Sequence, residues 1–332
     1  MRGLSLEALS ARMDGMVTKQ SLSKYERGKA MPSSGVLIAL AEALEVSIDY
    51  LMSAPIVGIE NIEFRKRSSL GKRAVAAVRA EVEMRLGRYI EVEEILGCPT
   101  TNAALERCKV SSLEEARAYA SDLRQRWELG GEGIVSVVSM IEERGVKVLL
   151  LDAPQGWDGM SGYADGEHPF IVVRRCDSSE RMRFTLLHEL GHLMMEVVGA
   201  IDEELCCNQF ANELLLSGER FRAMLGGVRH DILIRELIAI QQLYGVSVDA
   251  LMYKAKDLKL ISAGRYKYYC INRNKNSDFK RRVEKSRYRM EESSRYERMV
   301  WQSISRELIT LSKAAEYLGR PMTEVRDSML YV

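Results

Sequence analysis

The chain has 332 residues, 46% of them hydrophobic and 29% charged, with a formal net charge of +1. That length predicts two or three globular domains, and a charge so near zero excludes a polyanion binder acting over its whole surface, leaving only local patches to do so. There is no signal peptide, no 18-residue apolar run, and the six cysteines (98, 108, 176, 206, 207 and 270) form neither a CxxC pair nor a secretory framework, which predicts a protein of a reducing, bacterial-type cytoplasm with no membrane partner.

Residues 4–52, "LSLEALSARMDGMVTKQSLSKYERGKAMPSSGVLIALAEALEVSIDYLM", predict short helices: Leu6 to Met13, a turn over Asp14 to Val17, and a second helix from Thr18 to Arg27. The segment resembles the XRE-type helix-turn-helix, whose second helix enters the major groove. The resemblance implies DNA as a partner and makes Lys19, Gln20, Ser21 and Lys24 the candidate contacts. Gln reads adenine bidentately, while Lys meets guanine or phosphate; otherwise these are solvated residues of a small helical domain. Domains of this type open with one more helix, ahead of "RGLS". The expectation is therefore a domain whose first helix is missing, with either a start farther upstream or a core partly uncovered.

Residues 53–135 predict a folded helical connector. "IENIEFRKRSSL" (59–70) reads as a short strand, followed by helices over Gly71 to Leu86, Tyr89 to Leu96 and Ser112 to Leu129, the last opening on a Ser-x-x-Glu capping box. Beyond it, "VKVLLL" (146–151) and "FIVV" (170–173) are short aliphatic runs bounded by Gly, Asp and Pro, as strands are.

"RFTLLHELGHLMME" (183–196) holds two of the four histidines. One histidine on an apolar helix is more often a hydrogen-bonded core residue than a ligand, but a pair four apart with a carboxylate directly after the first is the HExxH pattern. On a helix, i and i+4 project from one face about 6 Å apart, so His188 and His192 can converge on one tetrahedral Zn²⁺. Ser179 serves as the expected N-cap, and nothing before Gly199 except the tolerated Gly191 breaks the helix. Glu189 is then the residue placed to take a proton from an attacking water.

A catalytic zinc needs a third protein ligand. Glu196 lies eight residues from His188, roughly 12 Å along the axis, too far to share one ion. The next segment, "IDEELCCNQFANELLL" (201–216), reads as a helix with Cys207, Phe210, Ala211, Leu214 and Leu215 as its apolar stripe. Glu203 and Glu204 flank that stripe, and periodicity does not choose between them. Cys206 and Cys207 read as small buried helix residues rather than soft-metal ligands.

"RFTLLHELGHLMM" followed by "ExxCNxFANELLL" resembles the ImmA/IrrE family of zinc metallopeptidases. The resemblance implies Glu204 as the third ligand, Zn²⁺ (or Mn²⁺) as the cofactor, and short strands ahead of the active helix. Ser217 stands where the family pattern usually has proline. Similar peptidases pair an extended substrate with an edge strand, either "MSGYAD" or "PFIVV" here, the second being preferred. Tyr163, His168, Arg183 and His230 are candidate oxyanion stabilisers, each with an ordinary alternative as a strand, loop, helix-surface or capping residue.

The expected fold class is multidomain and mainly α: an all-α helix-turn-helix domain (1–52), a helical connector (53–135) and an α+β zincin-like metallopeptidase core with a short β-sheet and an HExxH active helix (136–225). A helical, helix-turn-helix-like segment (226–262) follows, suggested by the echo of "ALEVSIDYLM" in "LYGVSVDALM". The C-terminal helical region (263–332) contains a stretch, 265–298, that mixes Arg and Lys with Tyr and Glu and reads first as a charged exposed helix, with contact to nucleic acid as the alternative. The implied function is a regulatory zinc-dependent endopeptidase that cleaves a protein partner, in such families a repressor or antitoxin. The alternative is a DNA-binding regulator or toxin–antitoxin component whose metal domain senses or scaffolds. The number of subunits is left open.

Overall fold

The computed structural model describes residues 4–44, 48–52, 58, 71–100 and 105–329. The strand expected over 59–70 lies outside them. Four helices open the chain: α1 (Leu6–Arg12), α2 (Lys19–Glu26), α3 (Ser34–Leu44) and α4 (Ile48–Met52). Ser5 and Thr18 cap the first two by accepting from the amides of Ala8 and Ser21. The turn between them needs left-handed backbone at Asp14 (φ 49°) and Gly15 (φ 72°), residue types that tolerate it. Leu9, Met13, Val17, Leu22 and Leu40 form their small core.

α5 (Lys72–Leu96) is one helix where two were expected. Gly87 separates the two predicted stretches, but one interior glycine weakens a helix by only about 1 kcal/mol relative to alanine. The buried Leu86, Tyr89 and Ile90 around it supply far more by packing. There follow β1 (Cys108–Val110), α6 (Leu113–Arg126), α7 (Val137–Glu142), β2 (Lys147–Leu151), β3 (Gly159–Ala164), β4 (His168–Arg174), α8 (Ser179–Met194), β5 (Met195–Val197), α9 (Glu203–Leu215) and α10 (Gly218–Leu225). The chain continues with α11 (Ile234–Tyr244), α12 (Val248–Asp257), α13 (Ala263–Lys275), α14 (Ser277–Glu284), α15 (Arg295–Ser305), α16 (Leu311–Leu318) and α17 (Met322–Asp327).

The sheet has the order β2-β4-β3, with β4 parallel to β2 and antiparallel to β3; β1 and β5 form a separate parallel pair. "PFIVV" is thus the central strand, paired on both edges, and cannot accept a substrate strand as expected; the outer strand beside the active helix is β3, "GMSGYA". The unbroken apolar run of β4 is the mark of a strand covered on both faces.

Strand alternation sorts the sheet into two cores. Val148, Leu150, Ile171 and Val173 face α8, α6 and α9, in a core that continues through α10 to α14 across the expected boundaries at 225 and 262. Leu149, Leu151, Met160, Phe170 and Val172 face the other way, onto α5, α15 and α16. The chain therefore builds a sheet layered between helices, with the HExxH helix on one side.

α8 is capped by Ser178, whose side chain accepts from the Arg181 amide, rather than by Ser179, which is buried and donates to the Arg289 carbonyl. The helix ends at Met194, short of the expected Gly199, because Met195 turns extended (ψ 142°) and pairs with Cys108.

Candidate metal centre

The site begins with how closely α9 approaches α8. A Cβ on Gly191 would lie 3.3 Å from Cys207 Sγ, from Met195 Cε and from Phe210 Cδ1, so glycine between the two histidines is what lets the helices meet at this distance. α9 in turn buries Cys206, Cys207, Phe210, Ala211, Leu214 and Leu215. Asp202 caps it by accepting from the Glu204 amide, which sets Glu203 and Glu204 in the first turn, facing α8.

The structure brings His188, His192 and Glu204 together, with one potential ligand atom from each all within 4.8 Å of one another. The two Nε2 atoms are 3.1 Å apart; Glu204 Oε2 lies 3.2 Å from that of His188, and Oε1 lies 3.6 Å from that of His192. Each opposite ring nitrogen has its own partner: Asn208 Oδ1 at 3.0 Å from His188 Nδ1 and Glu203 Oε1 at 3.0 Å from His192 Nδ1. Both partners are acceptors, so both Nδ1 atoms donate and both Nε2 atoms turn lone pairs toward the Glu204 carboxylate. Two neutral imidazoles and a carboxylate meeting at one point form a donor set that suits a divalent cation, with the outer partners fixing the tautomers. Glu203 and Glu204, indistinguishable by periodicity, are thereby separated: one backs a histidine, the other joins the pair.

His192 Nδ1, Glu203 and Cys207 form a second such group, with Cys207 Sγ 3.1 Å from the ring nitrogen. Its sulfur is buried, whereas the first group keeps Glu204 at 44% side-chain exposure, open to an incoming substrate. The two groups thus differ in their third member, a buried thiol in one and an exposed carboxylate in the other.

Glu189 accepts a 2.8 Å hydrogen bond from Ser161 Oγ on β3, a residue that sequence reasoning missed. The contact belongs to a repeat. Gly159, Ser161 and Tyr163 line one face of β3, and they meet Thr185 and Glu189, then Glu189, then Leu193 of α8. Four strand residues span about 13 Å and eight helix residues about 12 Å, so strand period 2 runs in step with helix period 4. The alternation of small and polar residues in "GMSGY", just ahead of the active helix, was the available signal.

Of the oxyanion candidates, Tyr163 is half-buried with its hydroxyl 3.5 Å from the Leu193 carbonyl, and burial pushes its pKa up, so it stays a proton donor. His168 opens β4 with Nδ1 2.9 Å from the Thr100 carbonyl. Arg183 is fully buried and holds Glu291 and the carbonyls of Ile134 and Tyr244, a structural role. His230 is exposed on the loop after α10, between Arg229, which pairs with Glu236, and Asp231, which pairs with Arg265.

On α2, Gln20 and Lys24 are exposed. Lys19 pairs with Glu7, and the Ser21 hydroxyl lies 3.1 Å from that of the cap residue Thr18, so Gln20 and Lys24 are the two candidates whose side chains have no partner among the described residues.

A small helical domain of this form, followed by a sheet and helix that bring two histidines and a glutamate to one point, defines a regulator-type module joined to a metallopeptidase-type domain. Comparison with known families agrees: residues 141–256 match Peptidase_M78, the IrrE N-terminal-like domain, and residues 1–51 match the helix-turn-helix model. The chain carries a domain of the ImmA/IrrE metallopeptidase type behind an XRE-type helix-turn-helix domain. No curated protein matched the sequence. Among the described residues, no helix is long and apolar enough to cross a membrane.

Proposed function

We propose that the chain is an endopeptidase in which His188, His192 and Glu204 hold one Zn²⁺, and that it cuts a specific protein partner, a transcriptional repressor or antitoxin. What carries this reading is the meeting of two Nε2 atoms and a carboxylate at one accessible point beside Glu189. His188, His192 and Glu204 would hold the ion, which when bound would supply a Lewis acid able to bring the pKa of a water molecule toward about 7 and to polarise the scissile carbonyl. Mn²⁺ suits the same donors. Glu189 takes the proton of the attacking water and passes it to the leaving amine, and the Ser161 hydroxyl holds its carboxylate in place.

The substrate main chain lies along β3 as an added strand. The bond from the Arg174 amide to the Asp158 carbonyl fixes the antiparallel phase, so even-numbered β3 residues bond β4 and Gly159, Ser161 and Tyr163 turn their amides and carbonyls outward. Tyr163, close to Leu193 on α8, is the donor best placed for the oxyanion; His230 is the weaker choice. DNA is the partner of the N-terminal domain, with Gln20 and Lys24 of α2 as the reading residues.

The test is Glu189→Gln, which removes the base but neither ligand nor volume. Metal content should stay near one ion per chain, while cleavage of a repressor encoded beside the gene, co-expressed in cells, should fall by on the order of a hundredfold or more. A wild type without stoichiometric metal overturns the site, and a variant that still cleaves overturns Glu189 as base. If no neighbouring regulator is cut, the sensor or scaffold role takes precedence.

A further inference from the structure

We infer that the outward faces of α13 and α14 form a second nucleic-acid surface, one that grips the phosphate backbone of duplex DNA without reading its sequence. Residues 263–289 contain ten Lys and Arg against two Asp and Glu, a net charge of +8, while the rest of a chain of net charge +1 carries −7. The concentration alone is a charge run; what matters is how the structure treats its two sides. The inward-facing cations are neutralised: Arg265 pairs with Asp231, and Arg273 pairs with Asp249 and Glu284. Of the outward ones, Arg281 pairs with Asp278, and five others are left unneutralised. Lys267, Lys275, Lys280, Arg282 and Lys285 are exposed, and none pairs with a carboxylate among the described residues. Lys267 and Lys275 lie eight residues apart, about 12 Å along α13, and Asn276 alone joins that helix to α14, which adds further exposed cations.

The surface is built rather than loose. Tyr269 donates to Asp249, Val283 is buried and Phe279 packs on the core, so α14 is held firmly while its cations face solvent. Tyr268, 57% exposed between these lysines, offers a flat ring beside the charges. A cluster of unneutralised cations flanked by amide and tyrosine side chains complements a polyphosphate. The choice of duplex DNA, rather than another polyanion, rests on the reading of the N-terminal domain as a DNA partner. Two contacts on one polymer strengthen each other through effective concentration.

The measurement is fluorescence anisotropy of the full-length protein with a labelled random-sequence 30-base-pair duplex, from 50 to 200 mM salt. The strip variant changes Lys267, Lys275, Lys280 and Arg282 to Gln, a good helix former; a second variant carries Gln20→Ala and Lys24→Ala. With roughly 0.9 counterion released per phosphate contact, the strip variant should show a log–log salt slope flatter by about 3 to 4, so wild type loses on the order of 100-fold more affinity across that range. The α2 variant should retain most of this salt-dependent binding. Melting temperature and metal content of both should match wild type, since every substituted residue is exposed. If the strip variant binds like wild type, the inference is wrong, whether or not the α2 variant shows that the N-terminal domain binds. Wild type that ignores the duplex but binds vesicles containing phosphatidylglycerol also overturns it.

Discussion

Glu203 and Glu204 are adjacent carboxylates with different work, and metal affinity should separate them. Glu204 faces both Nε2 atoms, whereas Glu203 sits 3.0 Å from His192 Nδ1 and, in the proposed centre, would act on the ion only through that ring. Losing an outer partner of this kind weakens metal binding by about 10- to 100-fold, or roughly 1.4 to 2.7 kcal/mol. Glu203 is 40% exposed, which lets water replace part of its role and places Glu203→Gln toward the lower figure. Asn208→Ala removes the equivalent support from His188 and should fall in the same range. Glu204→Gln removes a ligand and should cost more than either, leaving no saturable one-site binding at micromolar metal. Competition of purified protein against a chromophoric zinc chelator at neutral pH gives all three constants. If Glu203→Gln matched or exceeded Glu204→Gln, and Cys207→Ser abolished binding, the ion would belong to the His192, Glu203 and Cys207 group and the proposed centre would be wrong.

Gly191→Val should lower melting temperature and metal affinity together, because its Cβ meets three atoms at 3.3 Å and its branches cannot be absorbed without parting α8 from α9, an overpacking cost of about 1 to 3 kcal/mol. Glu291→Ala leaves the fully buried Arg183 guanidinium without its carboxylate and the Val138 amide without its acceptor, and urea denaturation should show a loss of about 3 to 5 kcal/mol. Arg183→Met with Glu291→Leu should recover most of it; failure of that double variant to improve on the single one would mean the pair does not act through charge burial. Burial alone would raise the Glu180 pKa, but bonds from Ser286, Arg287 and Gln241 hold it below the ordinary carboxylate value. Its contribution is therefore present above about pH 4.3 and lost as pH falls through the lower folded value, so Glu180→Gln should flatten the acid side of a melting-temperature profile below that pH.

What the sequence disclosed follows from the range of each interaction. The HExxH pair is local: four residues on a helix fix two side chains on one face, and the structure indeed sets His188 beside His192. The class of the fold was likewise legible, since short aliphatic runs and capped helices carry their own periodicity. Strand order was not, because nothing in "PFIVV" or "MSGYA" says which strand lies between two others; that depends on how the loop 152–158 carries the chain past β2 so that the β3–β4 hairpin sets β4 in the middle. Ser161 escaped because its partner Glu189 is 28 residues away. Arg183 and Glu291 were illegible for the same reason, 108 residues apart and each resembling a surface charge by itself. The α13 and α14 cations were visible as a charge run, but only the structure distinguishes those that are neutralised from those that are not.

The three groups of contacts along α8 also decide what kind of motion the site can undergo. At its first turn, Glu180 accepts from Ser286 and from the amides of Arg287 and Tyr288, and Arg183 holds Glu291, so the extended segment 285–294 is bolted to the helix that bears the histidines. In its middle, Glu189 is tied to the outer strand, and near its end Gly191 admits α9 with Glu204. The helix is thus fixed at both ends by buried groups whose removal is costly, while β3 lacks a second strand partner among the described residues. Rearrangement on substrate binding should therefore fall on β3 and its edge rather than on α8. That division suits the proposed hydrolase, in which the proton acceptor and ligand set would be held rigid while the strand beside them adapts to an incoming chain.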